Sequence, residues 1–227
     1  MLSIYLLPVG PGRFELYSEP PDDAPAPAPH DGFFRRRLHD LNERWRATVQ
    51  AARRSDGAAG RLARWRDKAV CRIAETIAEQ RTLWSLRHER AAHLVYPSDL
   101  SESAAIVRRN GMLAHARRHH GMWAIFDGVL FVASGVLALV PGPNVLAYYF
   151  GFRVVGHYLS WRGARHGLDR VSWQARAEPA LAELGRLVDL PRDARASRVA
   201  AIAEALHLPK LVLFFDRTAV PIRSMGA

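Results

Sequence analysis

The chain carries a single cysteine, Cys71, in 227 residues. That excludes an internal disulfide and any metal cluster built on several thiolates. Cys71 sits in a helical pattern and is expected to be a buried, inert thiol. Lysine is confined to Lys68 and Lys210, so arginine supplies almost all of the 32 basic residues. The formal net charge of +10 favours anionic partners, either lipid head groups or nucleic acid. Catalytic signatures are missing as well. There is no Gly-x-Ser-x-Gly, no Walker loop and no dinucleotide fingerprint, so no catalytic residue, no cofactor-binding residue and no enzymatic activity is expected. Gly10-Pro11-Gly12 lacks the following helix that a phosphate-binding loop requires. The first residues have no basic n-region and no Ala-x-Ala site, and are not Arg/Ser-rich. Neither a cleaved secretory signal nor a transit peptide is therefore expected, and a reducing, prokaryote-like compartment is inferred.

The most informative absence is local. Residues 128–152 contain no charge over 25 positions, and the chain is organised around the surrounding segment 122–161. Length alone would allow one membrane-crossing helix of roughly 20 residues. Pro141-Gly142-Pro143-Asn144 interrupts it, because proline lacks an N–H and its ring collides with the preceding turn. A break at 140–144 is predicted, with a short apolar helix on each side. Arg108, Arg109, Arg117 and Arg118 precede the tract, and Arg153, Arg162, Arg165 and Arg170 follow it. Basic residues prefer the cytoplasmic or matrix face. With both flanks basic, a hairpin that dips in and returns to the same face is expected, the alternative being a buried helical hairpin in a soluble core.

Around the tract the period is mostly helical. Ser3–Val9 and Arg13–Tyr17 read as a small β-hairpin over residues 1–18. Proline-rich residues 19–32 are a linker. A basic helical region, 33–121, follows: Leu38, Leu41, Trp45, Val49 and Ala52, then Leu62, Trp65, Ala69, Ile73, Ile77 and Trp84, recur at helical spacing. Tyr96-Pro97 ends that unit, and Asp99 with Glu102 suggests a capping box for a helix reaching about His120. After the apolar hairpin (122–161), a C-terminal helical region (162–227) comprises Trp173–Leu187, Ser197–Leu208 and Pro209–Arg217. The expected fold is mainly α: helical hairpins, one of them apolar and Pro-broken, with a small N-terminal β-hairpin.

Candidate site residues cluster at the apolar tract. Asp127 is expected to be the N-cap of a helix starting at Gly128; a proton-carrying role is the alternative. Carbonyls freed at 139–140, with the Asn144 amide, can coordinate a dehydrated cation, although Asn144 as a plain helix cap is preferred. Arg153 and His157 share a helix face at i, i+4. There Arg153 suits a lipid phosphate or a partner carboxylate, and His157 suits pH response. His115, His119 and His120 lie close in sequence, but no Glu completes a zinc motif, and a solvated basic helix end is expected instead of a metal site. Residues 198–215 imitate a helix-turn-helix, yet the second helix offers apolar side chains where base edges need polar ones.

Tyr5-Leu-Leu-Pro-Val9, Trp45 and Trp65, Tyr96-Pro97, and above all Leu139-Val-Pro-Gly-Pro-Asn144 followed by Phe152-Arg153, His157-Tyr158 and Gly163 resemble the mitochondrial potassium–hydrogen (K+-H+) exchange-related family. Gly156 stands where that family has Ser. The resemblance implies a membrane-associated auxiliary factor in potassium/proton homeostasis, rather than an autonomous transporter. The implied partners are anionic membrane lipids and a transporter subunit or a homo-oligomer. The implied location is the cytoplasmic side of a bacterial membrane, or the inner mitochondrial membrane in a eukaryote. The alternative is a soluble basic helical protein that binds nucleic acid or acts as a scaffold.

Overall fold

The computed structural model describes residues 1–19, 82–135 and 145–219. The linker reading of 19–32 (past Glu19), Trp45, Trp65, Cys71 and the Pro141–Asn144 break lie outside the described residues.

Two strands, β1 (Leu2–Gly10) and β2 (Arg13–Tyr17), form the expected antiparallel hairpin, with Tyr5 opposite Tyr17. Gly12 turns the corner at φ +67°, in the left-handed region that glycine enters without Cβ strain. The hairpin is not alone. β3 (Ala91–Pro97) lies parallel to β1, and β4 (Ser172–Glu178) parallel to β3, giving a four-stranded mixed sheet in the order β2-β1-β3-β4. This corrects two expectations. Residues 91–97 are a strand, not the end of a helical unit, and 172–178 are a strand, not the first turns of a helix. In β4, Trp173 and Ala175 turn inward while Ser172, Gln174 and Arg176 face out, the period of two that a half-buried strand imposes.

The crossover from β3 to β4 consists of two long helices, α1 (Glu102–Gly135) and α2 (Val145–Asp169). The start of α1 is capped by Ser101, whose Oγ accepts from the Ala104 N–H at 3.3 Å; the cap is not Asp99. From there the helix runs without interruption past His120 and Gly128. The expected stop near His120 and restart at Gly128 are both overturned, and the boundaries at 121/122 and 161/162 fall inside helices. Leu113 meets Gly167, Trp161 meets Gly121, and Phe131 meets Gly151, so the two helices run antiparallel. Among the described residues, no helix is long and apolar enough to cross a membrane.

Two cores follow from the alternation of β1. Ile4 and Leu6, with Ala92, Leu94 and Tyr96, pack against Ala105, Leu113 and Ala164 of the long helices. Leu7 and Val9, with Val95, face α3 (Pro179–Arg186), α4 (Arg192–Ala205) and α5 (Leu211–Thr218). Leu211, Phe214 and Phe215 of α5 lie in this second core, so the apolar face of the last helix is spent on packing. Arg195 is buried there; its guanidinium donates to the Val188 and Ala219 carbonyls at 3.1 and 2.9 Å and lies over the Phe215 ring. The architecture is mainly α, with the sheet as a middle layer.

Candidate functional site

The lower half of the α1–α2 hairpin is fixed tightly. Residues 82–86 form a helical turn packed against α2. Trp84 Nε1 donates to Ser160 Oγ at 2.9 Å, and Ser160 Oγ donates to the Gly156 carbonyl at 3.0 Å. Gly163 lies so close that a Cβ there would sit 1.7 Å from the Leu83 carbonyl oxygen. Arg109, buried between α1 and β4, stacks over the Trp173 ring at 4.4 Å, and burial lowers its pKa.

Above this base, four polar side chains meet between the helices. Asp127 is 1% exposed and lies deep inside α1. Its Oδ2 accepts from Arg153 Nε at 3.0 Å and lies 3.4 Å from His157 Nε2. The N-cap role expected for Asp127 is therefore wrong. A residue within a continuous helix has no orphan N–H groups to satisfy, and its carboxylate instead holds the two groups one turn apart on α2. Arg153 also donates to Tyr149 OH at 3.3 Å. Burial works against the charged guanidinium, but the bonds to Asp127 and Tyr149 outweigh it and raise its pKa.

His120 completes the set. Its Nδ1 lies 2.9 Å from Nδ1 of His157, across the helix pair. Burial pushes its pKa down to about 4, with His157, His119 and His115 acting in the same direction. Burial also lowers His157; Asp127 opposes that shift, and Arg153 and His119 reinforce it. Trp123 covers the group, its ring stacked on His157 at 6.3 Å between centroids. The structure thus brings Asp127, Arg153 and His157 together, and adds Tyr149 and Trp123, which were not singled out, and His120, which was expected on a solvated basic helix end. The signal for His120 was available: it stands seven residues, two helical turns, before Asp127. It becomes visible only once the helix is carried through Gly121 and Gly128. Pro141, Gly142, Pro143 and Asn144 lie outside the described residues. No group of three or more His, Cys, Asp or Glu suited to a metal occurs among the described residues.

From the height of this layer onward the outer surface of the hairpin is apolar. Met122, Ile125, Phe126, Val129 and Val132 on α1, and Tyr149, Phe152, Val155 and Tyr158 on α2, are exposed. Residues 34–171 match the model of the mitochondrial K+-H+ exchange-related family, well over half of the 227 residues. The chain belongs to that family. The family region takes in β3, both long helices and all of the polar cluster, whereas β1, β2, β4 and the three C-terminal helices lie outside it. No curated protein and no solved structure matches the chain.

Proposed function

We propose that this member of the K+-H+ exchange-related family attaches to a membrane by the far end of the α1–α2 hairpin, entering from one face without crossing, and serves potassium/proton homeostasis as an auxiliary factor. The observation that carries the reading is the outward apolar surface of that end. Ile125 is 72%, Val129 63% and Val132 74% exposed, and side chains of this kind in a contiguous patch mark an interaction surface. The stretch from Met122 to Gly135 spans about 20 Å at 1.5 Å per residue, less than the roughly 30 Å of a hydrocarbon core. Insertion into one leaflet fits that length.

The charge supports the same geometry. In the antiparallel pairing, exposed Arg117 and Arg118 of α1 stand level with exposed Arg162 and Arg165 of α2. They form a basic belt one to two turns below the apolar end, the height at which head-group phosphates would lie. Each such residue near an anionic surface contributes about 1 kcal/mol. A hairpin of two partial helices is too little to form a pore from one chain, so ion movement is assigned to a partner transporter or a homo-oligomer. The side is the cytoplasmic face of a bacterial membrane, or the matrix face of the inner mitochondrial membrane.

Vesicle flotation tests the reading. The full chain should float with vesicles containing anionic lipid, resist a high-salt wash and be released only by detergent. Complete release by salt alone would overturn insertion. Retention on nucleic acid with no flotation would move the basic charge to the alternative reading. Potassium-dependent proton flux in vesicles from cells with and without the protein then tests the homeostatic role; equal fluxes would overturn it.

A further inference from the structure

Two imidazoles facing each other through the same ring nitrogen cannot both be donors. Asp127, when ionised, only accepts, so the His157 nitrogen beside it, Nε2 at 3.4 Å, must carry hydrogen. A neutral His157 then has a bare Nδ1, and the 2.9 Å contact requires His120 to donate from its own Nδ1. The hydrogens are thus assigned by the carboxylate at one end of the row. We propose that His120, His157 and Asp127, backed by Arg153, form a site for a single proton that bridges α1 and α2, and that filling it changes how the two helices are held at the root of the apolar end.

The first proton goes to His157 Nδ1, because that ring lies against the carboxylate. His157 then donates in both directions, and the contact with His120 survives only if His120 transfers its hydrogen from Nδ1 to Nε2. A second proton sets N–H against N–H and breaks the contact. Coupled groups of this kind titrate as a pair and not as two independent rings. Among the described residues, the charged and titratable groups around the row are few. From α1 come Asp127, His119, whose ring meets His120 at 5.2 Å, and His115 stacked below His119 at 6.0 Å. From α2 come Arg153 and Tyr149. Arg153, His119 and His115 oppose a positive charge here and Asp127 favours it, so loss of Asp127 leaves no acid in the row. The surroundings keep both imidazoles neutral near pH 7, with His120 held down to about 4. Uptake therefore belongs to acid conditions, such as those beside a proton-releasing partner. The site does not depend on the membrane reading, since all of its groups belong to this chain.

Ring-nitrogen NMR on the full chain, labelled at histidine and titrated from pH 8 to 4, is the test. At pH 8 two rings should show opposite tautomers, hydrogen on Nδ1 in His120 and on Nε2 in His157. Both should change together, below the ordinary histidine value of about 6.5. Asp127→Asn should move the first protonation down by roughly one unit or more. His120→Gln, which keeps a donor toward His157, should convert the paired curve into a single-site one. Independent titration of the two rings near 6.5, an unmoved first step in Asp127→Asn, or an unchanged His157 curve in His120→Gln would each overturn the site. Should Asp127→Asn fail to fold, the His120→Gln curve decides. Loss of vesicle flotation with these curves intact would overturn the membrane reading alone.

Discussion

The two halves of the α1–α2 hairpin share their helices but obey different rules. The lower half is built on close approach. Gly163 touches the Leu83 backbone, Gly167 is pressed by Leu86 and Leu113, and buried Arg109 lies over the Trp173 ring. The upper half leaves Met122, Ile125, Val129 and Val132 in the open, so its residues contribute little to holding the chain folded. Between them lies the row from His120 to Arg153, a layer in which α1 and α2 meet by polar contacts. The difference separates a tightly packed stretch of the helix pair from one whose apolar side chains face outward, and the proposed attachment belongs to the second.

The comparison is broken most severely at Gly163. Alanine there needs space occupied by a backbone carbonyl that has no rotamer to yield, and overpacking of that kind costs about 3 kcal/mol or more. Urea denaturation followed by circular dichroism should show a large fall in midpoint, and vesicle flotation should be lost only as a consequence of unfolding. Next comes Arg153→Met, which strands the buried Asp127 carboxylate. Breaking a fully buried pair costs about 3–5 kcal/mol; Arg153 is a third exposed, so water repays part of that, and a loss of about 2 kcal/mol is expected by the same denaturation.

A change of pH should act more gently and in a defined direction. His120 is held at about 4 in the folded chain by burial and by neighbouring histidines, against about 6.5 when unfolded. Between those values the unfolded chain binds more protons, so stability is complete above pH 6.5 and declines toward pH 4. Thermal midpoints at pH 7.5, 5.5 and 4.5 should fall in that order, and His120→Gln should flatten the part of the decline that this ring causes. The smallest stability effect belongs to the upper half. Ile125→Ser, Val129→Ser and Val132→Ser alter exposed positions, each within about 0.5 kcal/mol. Combined, they should leave the denaturation curve almost in place and abolish flotation. A triple variant that still floats would show that attachment does not depend on this face.

How far the fold could be read from the sequence depended on which physical signal was strong. The N-terminal hairpin was legible because Gly12 supplies the turn between two β-prone runs. The helical face shared by Arg153 and His157 was legible from spacing alone. β4 was not, although Trp173-Gln-Ala-Arg-Ala-Glu alternates as a strand should. Alanine, arginine and glutamate are helix formers, and local propensity outweighed the period of two. β3 was hidden because an interior parallel strand gains its partners from residues far away in the chain. Asp127 misled for a local reason. An acid followed by glycine, at the edge of an apolar run, imitates a helix start, and only the arrival of Arg153 from α2 reveals the carboxylate as an interior group. His120 was passed over with its neighbours for the same reason, since its partner also lies on the other helix.

The place of the hairpin between β3 and β4 has a consequence for how the chain is made. Both long helices leave the ribosome before β4 exists, and β4 pairs with a strand that ended some 75 residues earlier. During that interval the hairpin has its apolar tip but only part of its foundation, because Trp173, the seat of Arg109, has not yet been synthesised. The nascent chain therefore displays its exposed apolar surface before the sheet that anchors it is complete. On the membrane reading proposed above, a lipid surface would be met first by these exposed apolar side chains, and the closing strand would be added to a chain already tethered.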